Sequence, residues 1–272
     1  MKKIALCLHG KYNNRLSSQS GDDGSLYIKE VLLDKYPDFE IDVFVHCWDV
    51  ELQEKITKIY HKFLKKSVFE AQIDFKKIMM ESKIDDQLFN PPNNQQFRTC
   101  ANSLSFFYSR KKVIESKIAH EQEQNFQYDF VIVSRFDLGQ IDQHNGSHPY
   151  KVSEINFDPK LDMNYIYSAM WDQLNCGYAD QWFYSSSENI NKIADLYDKS
   201  LQYFLPQSNY IKALNHWPDS NSEDEFSNEF FKSEDFKSKS LFQYKLENAI
   251  NNHAMYKWFF IDSNLYSLSR FV

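Results

Sequence analysis

The chain has 272 residues, enough for one large domain or one domain with a long appendage. Its net charge of −7 argues against a nucleic-acid partner, which calls for a basic field. No run of about 18 apolar residues is present to span a membrane, and the scarcity of Gly (6) beside 17% aromatics argues against disorder and against a Gly-rich nucleotide loop.

The opening MKKIALCLHG is too short in its apolar run for a signal peptide and reads as a first strand over 3–8. A polar loop follows, HGKYNNRLSSQSGDDG, which holds Gly10 and Arg15. Leu26, Ile28, Val31 and Leu32 predict a helix that stops before Pro37. A second buried strand over 41–45 ends in His46, Cys47, Trp48 and Asp49. Leu52, Ile56, Ile59, Tyr60 and Phe63 recur at helical spacing. Residues 68–73 read as a third strand. The polar stretch over 81–99, with NPPNNQQ, reads as a loop, either a lid or a surface insertion.

Asn102 or Ser103 then caps a helix that carries Leu104, Phe107, Ile114 and Ile118 on one face. Phe130 to Val133 is a short unbroken apolar run rich in β-branched residues, the mark of a strand buried on both faces. Strand alternating with helix over the first half predicts an α/β fold with a mostly parallel, Rossmann-like sheet wound with helices.

After Gly139 the segment 140–160 is polar. Short strands are predicted over 165–168 and 182–184, with Asp180 in the loop between them. Ser185 and Glu188 have capping-box spacing and open a helix carrying Ile190, Ile193, Tyr197, Leu201 and Phe204. Beyond 207 the chain is acidic and aromatic, with helices over 223–231 and near 241–250, a last strand over 257–261 and a tail over 266–270. No repeat or linker divides the chain, so 1–272 reads as a single domain. Cys7, Cys47, Cys100 and Cys176 lie far apart without a CxxC pair, as small core residues of a reduced, cytoplasmic protein would.

In a parallel sheet three strand ends converge: His9-Gly10 with Arg15 behind them, His46 to Asp49, and Ser134-Arg135-Phe136-Asp137. Ligands of open α/β sheets bind beyond the carboxyl ends of the strands. Arg135 offers a bidentate fork to phosphate oxygens. Asp137 can bind a divalent cation or accept a sugar hydroxyl. Asp180, between two strands, is where a catalytic base would stand. The plainer alternatives are a local Arg135–Asp137 ion pair, packed core roles for His46 and Trp48, a solvated Arg15 and a turn role for Asp180. Asp172 and Asn175 are lesser candidates, and a metal site at His144 and His148 is disfavoured because Gly146 and Pro149 preclude a helix there. Ser105 and Tyr108 are expected to face the site, and Arg110, Lys111 and Lys112 to be solvated. No GxGxxG, P-loop, GxSxG or HExxH is present.

The order of these pieces resembles GT-A-type glycosyltransferases of bacterial and large-virus surface-glycan loci. The matching segments are residues 4–15, FVHCWD over 44–49, SFFYSRKKV over 105–113, YDFVIVSRFDL over 128–138 and ADQWFYSSS over 179–187. The resemblance implies a GT-A-type sheet with helices on both faces and a helical C-terminal extension. Residues 1–140 would hold a nucleotide-sugar donor and 141–272 the acceptor side. It implies a polysaccharide, lipopolysaccharide or glycoprotein glycan as acceptor, no nucleic acid and no transmembrane segment, with peripheral membrane contact left open.

Gly10, Arg15, His46, Trp48, Asp49, Arg135 and Asp137 would line the donor site, with Asp180 as the base of an inverting transfer. Such enzymes hold Mg²⁺ or Mn²⁺ on an Asp-x-Asp motif. Here the triplet is Arg135-Phe136-Asp137, so either Asp137 alone binds the metal or Arg135 supplies the positive charge without one. A sugar-phosphate or nucleotidyl transferase and a non-catalytic glycan-binding module remain the alternatives.

Overall fold

The computed structural model describes residues 1–12, 21–82, 95–139, 152–171, 177–205, 207–210 and 252–272. Arg15, Asp172, Asn175, Cys176, the His144/His148 pair and the helices expected over 223–231 and 241–250 lie outside them, as does most of the expected loop over 81–99.

The strands are β1 (Lys3–Gly10), β2 (Glu40–Cys47), β3 (Leu64–Phe69), β4 (Phe130–Arg135), β5 (Ile166–Ser168), β6 (Trp182–Ser185) and β7 (Ser269–Phe271). They form one seven-stranded sheet in the order β3-β2-β1-β4-β6-β5-β7. β3, β2, β1 and β4 run parallel, β6 is antiparallel to β4 and β5, and β7 is parallel to β5. The fold is thus α/β with a mostly parallel sheet, as expected.

The helices are α1 (Gly21–Ile28, continued by a π-helical turn Lys29–Leu33), α2 (Gln53–Tyr60), α3 (Phe75–Glu81), α4 (Gln95–Gln124), α5 (Ser187–Ile193), α6 (Leu196–Tyr203) and α7 (Asn252–Asp262). Alternation along each central strand sorts the core into two layers. Ile4, Leu6, Leu8, Val43, Val45 and Ile132 pack with Ile28 and Leu32 of the α1 segment and Ile56 and Tyr60 of α2. Ala5, Cys7, Phe44, Val131 and Val133 face α4 through Leu104, Phe107 and Ile114, and α7 through Met255 and Tyr256.

Several elements differ from the sequence reading. The third strand begins four residues earlier than expected, because its residues alternate between half-buried and exposed instead of forming an apolar run. Lys65 and Lys66 mark it as an edge strand, a position where lysine discourages pairing with other chains, and they reach Asp42 at 3.1 Å and Glu123 at 2.5 Å. Asn102 and Ser103 do not cap a helix; they lie inside the 30-residue α4. Ser186, not Ser185, caps α5, its hydroxyl accepting from the Asn189 amide, while the Ser185 hydroxyl closes β6 against the carbonyls of Met163 and Tyr165. The single helix expected over 190–204 breaks at Ala194 and Asp195.

The largest departure is at 257–261, expected as a strand and found within α7. Residues Ala254 to Phe260 are all buried, so this helix has no polar stripe to reveal its period, and a short apolar run does not distinguish strand from helix. α3, capped by the Asp74 side chain, and β7 were not expected.

Gly24 fixes where α1 meets the loop after β4. A Cβ there would lie 1.8 Å from the Phe136 carbonyl oxygen and 3.2 Å from Asp137 Cα. Helix propensity alone favours Gly24→Ala by about 1 kcal/mol. The backbone collision is expected to reverse the sign and destabilise the chain by roughly 1–3 kcal/mol, measured by urea unfolding.

Candidate functional site

β1 stands where the sheet reverses direction. Its successor β2 lies on one side and β4 on the other, with α1 and α2 on one face and α4 on the opposite face. This reversal is the topological switch point at which open α/β sheets leave a crevice. His9 of β1 and Arg135 of β4 are register partners there, and His9 also pairs with His46 of β2.

The ends of β1 and β2 are tied together. The Trp48 amide donates to the Gly10 carbonyl at 3.1 Å, and the Tyr12 amide donates to Asp49 Oδ2 at 2.8 Å. Gly10, at φ 105°, provides the left-handed turn out of β1 that this junction requires. His46 is fully buried; its Nδ1 pairs with Ser109 Oγ at 2.7 Å and its Nε2 with Glu70 Oε1 at 2.9 Å. Burial lowers its pKa and Glu70 partly opposes this. Trp48 is buried too, stacked on Tyr108 with ring centroids 5.5 Å apart. Both side chains therefore build the core behind the strand ends. Ser105, equally buried, accepts from Gln72 at 2.9 Å.

Arg135 is held by Asp137. Its Nε donates to Oδ1 at 2.7 Å, and its Nη2 donates to Oδ2. Burial would weaken the guanidinium charge, but the carboxylates of Asp137 and Asp180 more than restore it. Asp180 is 3% exposed, and one oxygen accepts from Asn252 Nδ2 at 2.9 Å. Burial alone would raise its pKa; the neighbouring His253 and Arg135, the Asn252 bond and Arg110 together hold it below the ordinary aspartate range. The Arg135 amide donates to the Gln181 carbonyl at 3.1 Å, which brings the start of β6, and Asp180 with it, against the end of β4.

Arg110, expected in solvent, is instead the hub of this cluster. It is 1% exposed. Its Nε donates to His9 Nε2 at 2.9 Å, Nη1 to the Tyr256 hydroxyl and Nη2 to the Asp180 carbonyl at 2.6 Å. The rings of Phe106, Phe183 and Tyr256 enclose its guanidinium, with centroids 4.8, 5.1 and 5.0 Å away. Arginine cannot accept a hydrogen bond, so His9 Nε2 must. Burial, with the charges of Arg110 and Arg135, keeps the His9 ring neutral. Its proton is therefore on Nδ1, which meets no acceptor among the described residues.

Of the residues expected from sequence, the fold thus gathers Arg135, Asp137 and Asp180, with Gly10 and Asp49 at the adjoining strand ends. Sequence reasoning missed Arg110, Asn252, His253 and Tyr256. Arg110 could have been found, since it lies three residues after Phe107 and four before Ile114, on the apolar stripe of α4. Asn252, His253 and Tyr256 lie between the helix expected near 241–250 and the strand expected over 257–261, and carried no such signal.

A divalent cation does not fit this donor set. Among the described residues no group of three or more His, Cys, Asp or Glu is arranged to hold a metal, and both Asp137 oxygens already accept from Arg135. A separate groove of about 580 Å³ runs between α1 and α2, lined by Ser25, Leu26, Lys29, Ile59 and Tyr60 among others, and includes none of the cluster. No described helix is long and apolar enough to cross a membrane.

Fold and site together define an α/β protein with a buried Arg–His–Asp cluster at the switch point of its sheet. Comparison with family models, with characterised proteins and with solved structures finds no match.

Proposed function

We propose that the chain is a glycosyltransferase of GT-A type, moving a sugar from a nucleotide-sugar donor to a hydroxyl of a surface glycan in the cytoplasm. Arg135 carries this reading. Asp137 occupies its Nε and one Nη2 hydrogen, which leaves Nη1 with no partner among the described residues. The side chain retains 28% exposure at the switch point. A guanidinium pinned on one edge and open on the other is preorganised for a diphosphate.

Cleavage of a nucleotide sugar requires stabilisation of the departing nucleoside diphosphate, and a fixed cation supplies it without reorganisation. Arg135 takes that role, with Asp137 as its orienting partner. Gly10 and Asp49 line the nucleotide side. Asp180, ionised and buried, faces the acceptor side. The Arg135–Asp137 pairing favours charge supplied by arginine over charge supplied by a metal.

Incubation with pooled UDP-, GDP- and CDP-sugars is expected to release nucleoside diphosphate together with sugar transfer. Release of nucleoside monophosphate or pyrophosphate would mark a sugar-phosphate or nucleotidyl transferase instead. Asp137→Ala and Asp180→Ala are each expected to slow transfer at least tenfold, and full activity in both would sink the reading.

A further inference from the structure

We propose that His253, at the start of α7, takes the proton from the acceptor hydroxyl, and that Asp180 is its counter-charge. The inference rests on the glycosyltransferase reading and concerns the acceptor side of that site.

Three features of His253 single it out. Its Nδ1 lies 2.8 Å from the Tyr178 carbonyl oxygen. A carbonyl only accepts, so Nδ1 carries the hydrogen, and in the neutral ring Nε2 carries the lone pair. Among the described residues none partners Nε2, and the side chain is half-buried. The ring plane is also set: the Trp171 indole stacks on it with centroids 4.9 Å apart and planes 28° from parallel. A base oriented by a backbone carbonyl and a stacked ring is positioned before the acceptor arrives.

The backbone holds the group beside Asp180. The Tyr178 amide donates to the His253 carbonyl at 3.0 Å, so turn and helix exchange hydrogen bonds in both directions. Gly177 permits that approach: it has φ +91°, and a Cβ there would lie 2.2 Å from the His253 carbonyl oxygen. Asn252, the preceding residue, donates to Asp180. Asp180 is the weaker candidate as base, because its neighbours stabilise the charged form and a carboxylate so held takes a proton reluctantly. Its fixed negative charge instead favours the imidazolium that forms as His253 accepts the proton. The described groups that meet this residue are the Tyr178 backbone, the Trp171 indole and the charge of Asp180, which Asn252, Arg135 and Arg110 also face.

In the step itself the acceptor O–H proton passes to His253 Nε2. The oxygen electron pair forms the new bond to the anomeric carbon. The bond from that carbon to the donor phosphate oxygen breaks, and its electrons leave with the nucleoside diphosphate. The imidazolium then returns its proton to water.

Two substitutions separate this role from a structural tether. In His253→Asn the side-chain amide stands near the Nδ1 position and can still donate to the Tyr178 carbonyl, but Nε2 is gone. In His253→Gln the tether is lost as well. With UDP- and GDP-hexoses as donors and a panel of simple glycosides as acceptors, His253→Asn is expected to lower kcat about 10²–10⁴-fold. Its KM for donor and its thermal shift with UDP or GDP stay at wild-type values.

The acid limb of the wild-type pH–rate profile disappears in His253→Asn. A purely structural role predicts the opposite order, with His253→Asn near wild type and His253→Gln impaired. That order, or an acid limb that persists in His253→Asn, overturns the proposal while donor binding leaves the glycosyltransferase reading standing. Absence of nucleotide binding in the wild type overturns both.

Discussion

Arg110→Met is expected to cost roughly 3–5 kcal/mol of stability. The guanidinium joins three separate parts of the chain: His9 on β1, the Asp180 carbonyl before β6 and Tyr256 on α7. Its removal leaves buried acceptors without donors, each worth about 1–3 kcal/mol when unsatisfied. Methionine fills much of the volume and keeps the contact with Phe106, Phe183 and Tyr256, so the loss is mainly polar. Lysine is no substitute, because one ammonium on a flexible stem cannot reproduce a planar fork aimed at three acceptors. Urea unfolding of wild type, Arg110→Met and Arg110→Lys checks this; a change below about 1 kcal/mol in both variants contradicts a hub role.

Arg135→Ala is expected to weaken nucleoside diphosphate binding by roughly 10–100-fold, the range of a charge-assisted bidentate contact of about 1.5–3 kcal/mol. Asp137→Asn should weaken it less. The amide still offers one oxygen to the guanidinium, and the cation that meets the phosphate remains. If a metal on Asp137 did the work, the order would reverse and a chelator would abolish binding. Titration of UDP and GDP into the three proteins, with and without EDTA, separates these outcomes. Stability is measured alongside, because Arg135→Ala strips Asp137 of its partner.

The central strands were legible because each is buried on both faces and shows an unbroken apolar run: β1, β2 and β4 all extend a little past the expected limits, into the polar residues that form the site. Lys65 and Lys66 hid the edge strand β3. α7 was hidden for the opposite reason, since burial on every side erased its helical period. The site was legible in part. Arg135, Asp137 and Asp180 announced themselves as charges at the ends of apolar strands. His46 and Trp48 carried the same signal, yet belong to the core, because composition does not tell which way a strand-end side chain turns. Arg110 looked solvated beside Lys111 and Lys112, although its place on the stripe of Phe107 and Ile114 pointed inward. His253 depends on a contact between residues 178 and 253, which no local pattern reveals.

Thermal denaturation with UDP, GDP and CDP, each with EDTA or with Mn²⁺, tests the donor-site reading most directly. One nucleoside diphosphate is expected to stabilise the wild type by about 2.7 kcal/mol at a hundredfold excess over its dissociation constant. That shift should persist in EDTA and fall to about 0.4–1.4 kcal/mol in Arg135→Ala. The absence of a shift with all three nucleotides, or a shift retained in full by Arg135→Ala, contradicts a nucleotide-sugar site at the ends of β1 and β4.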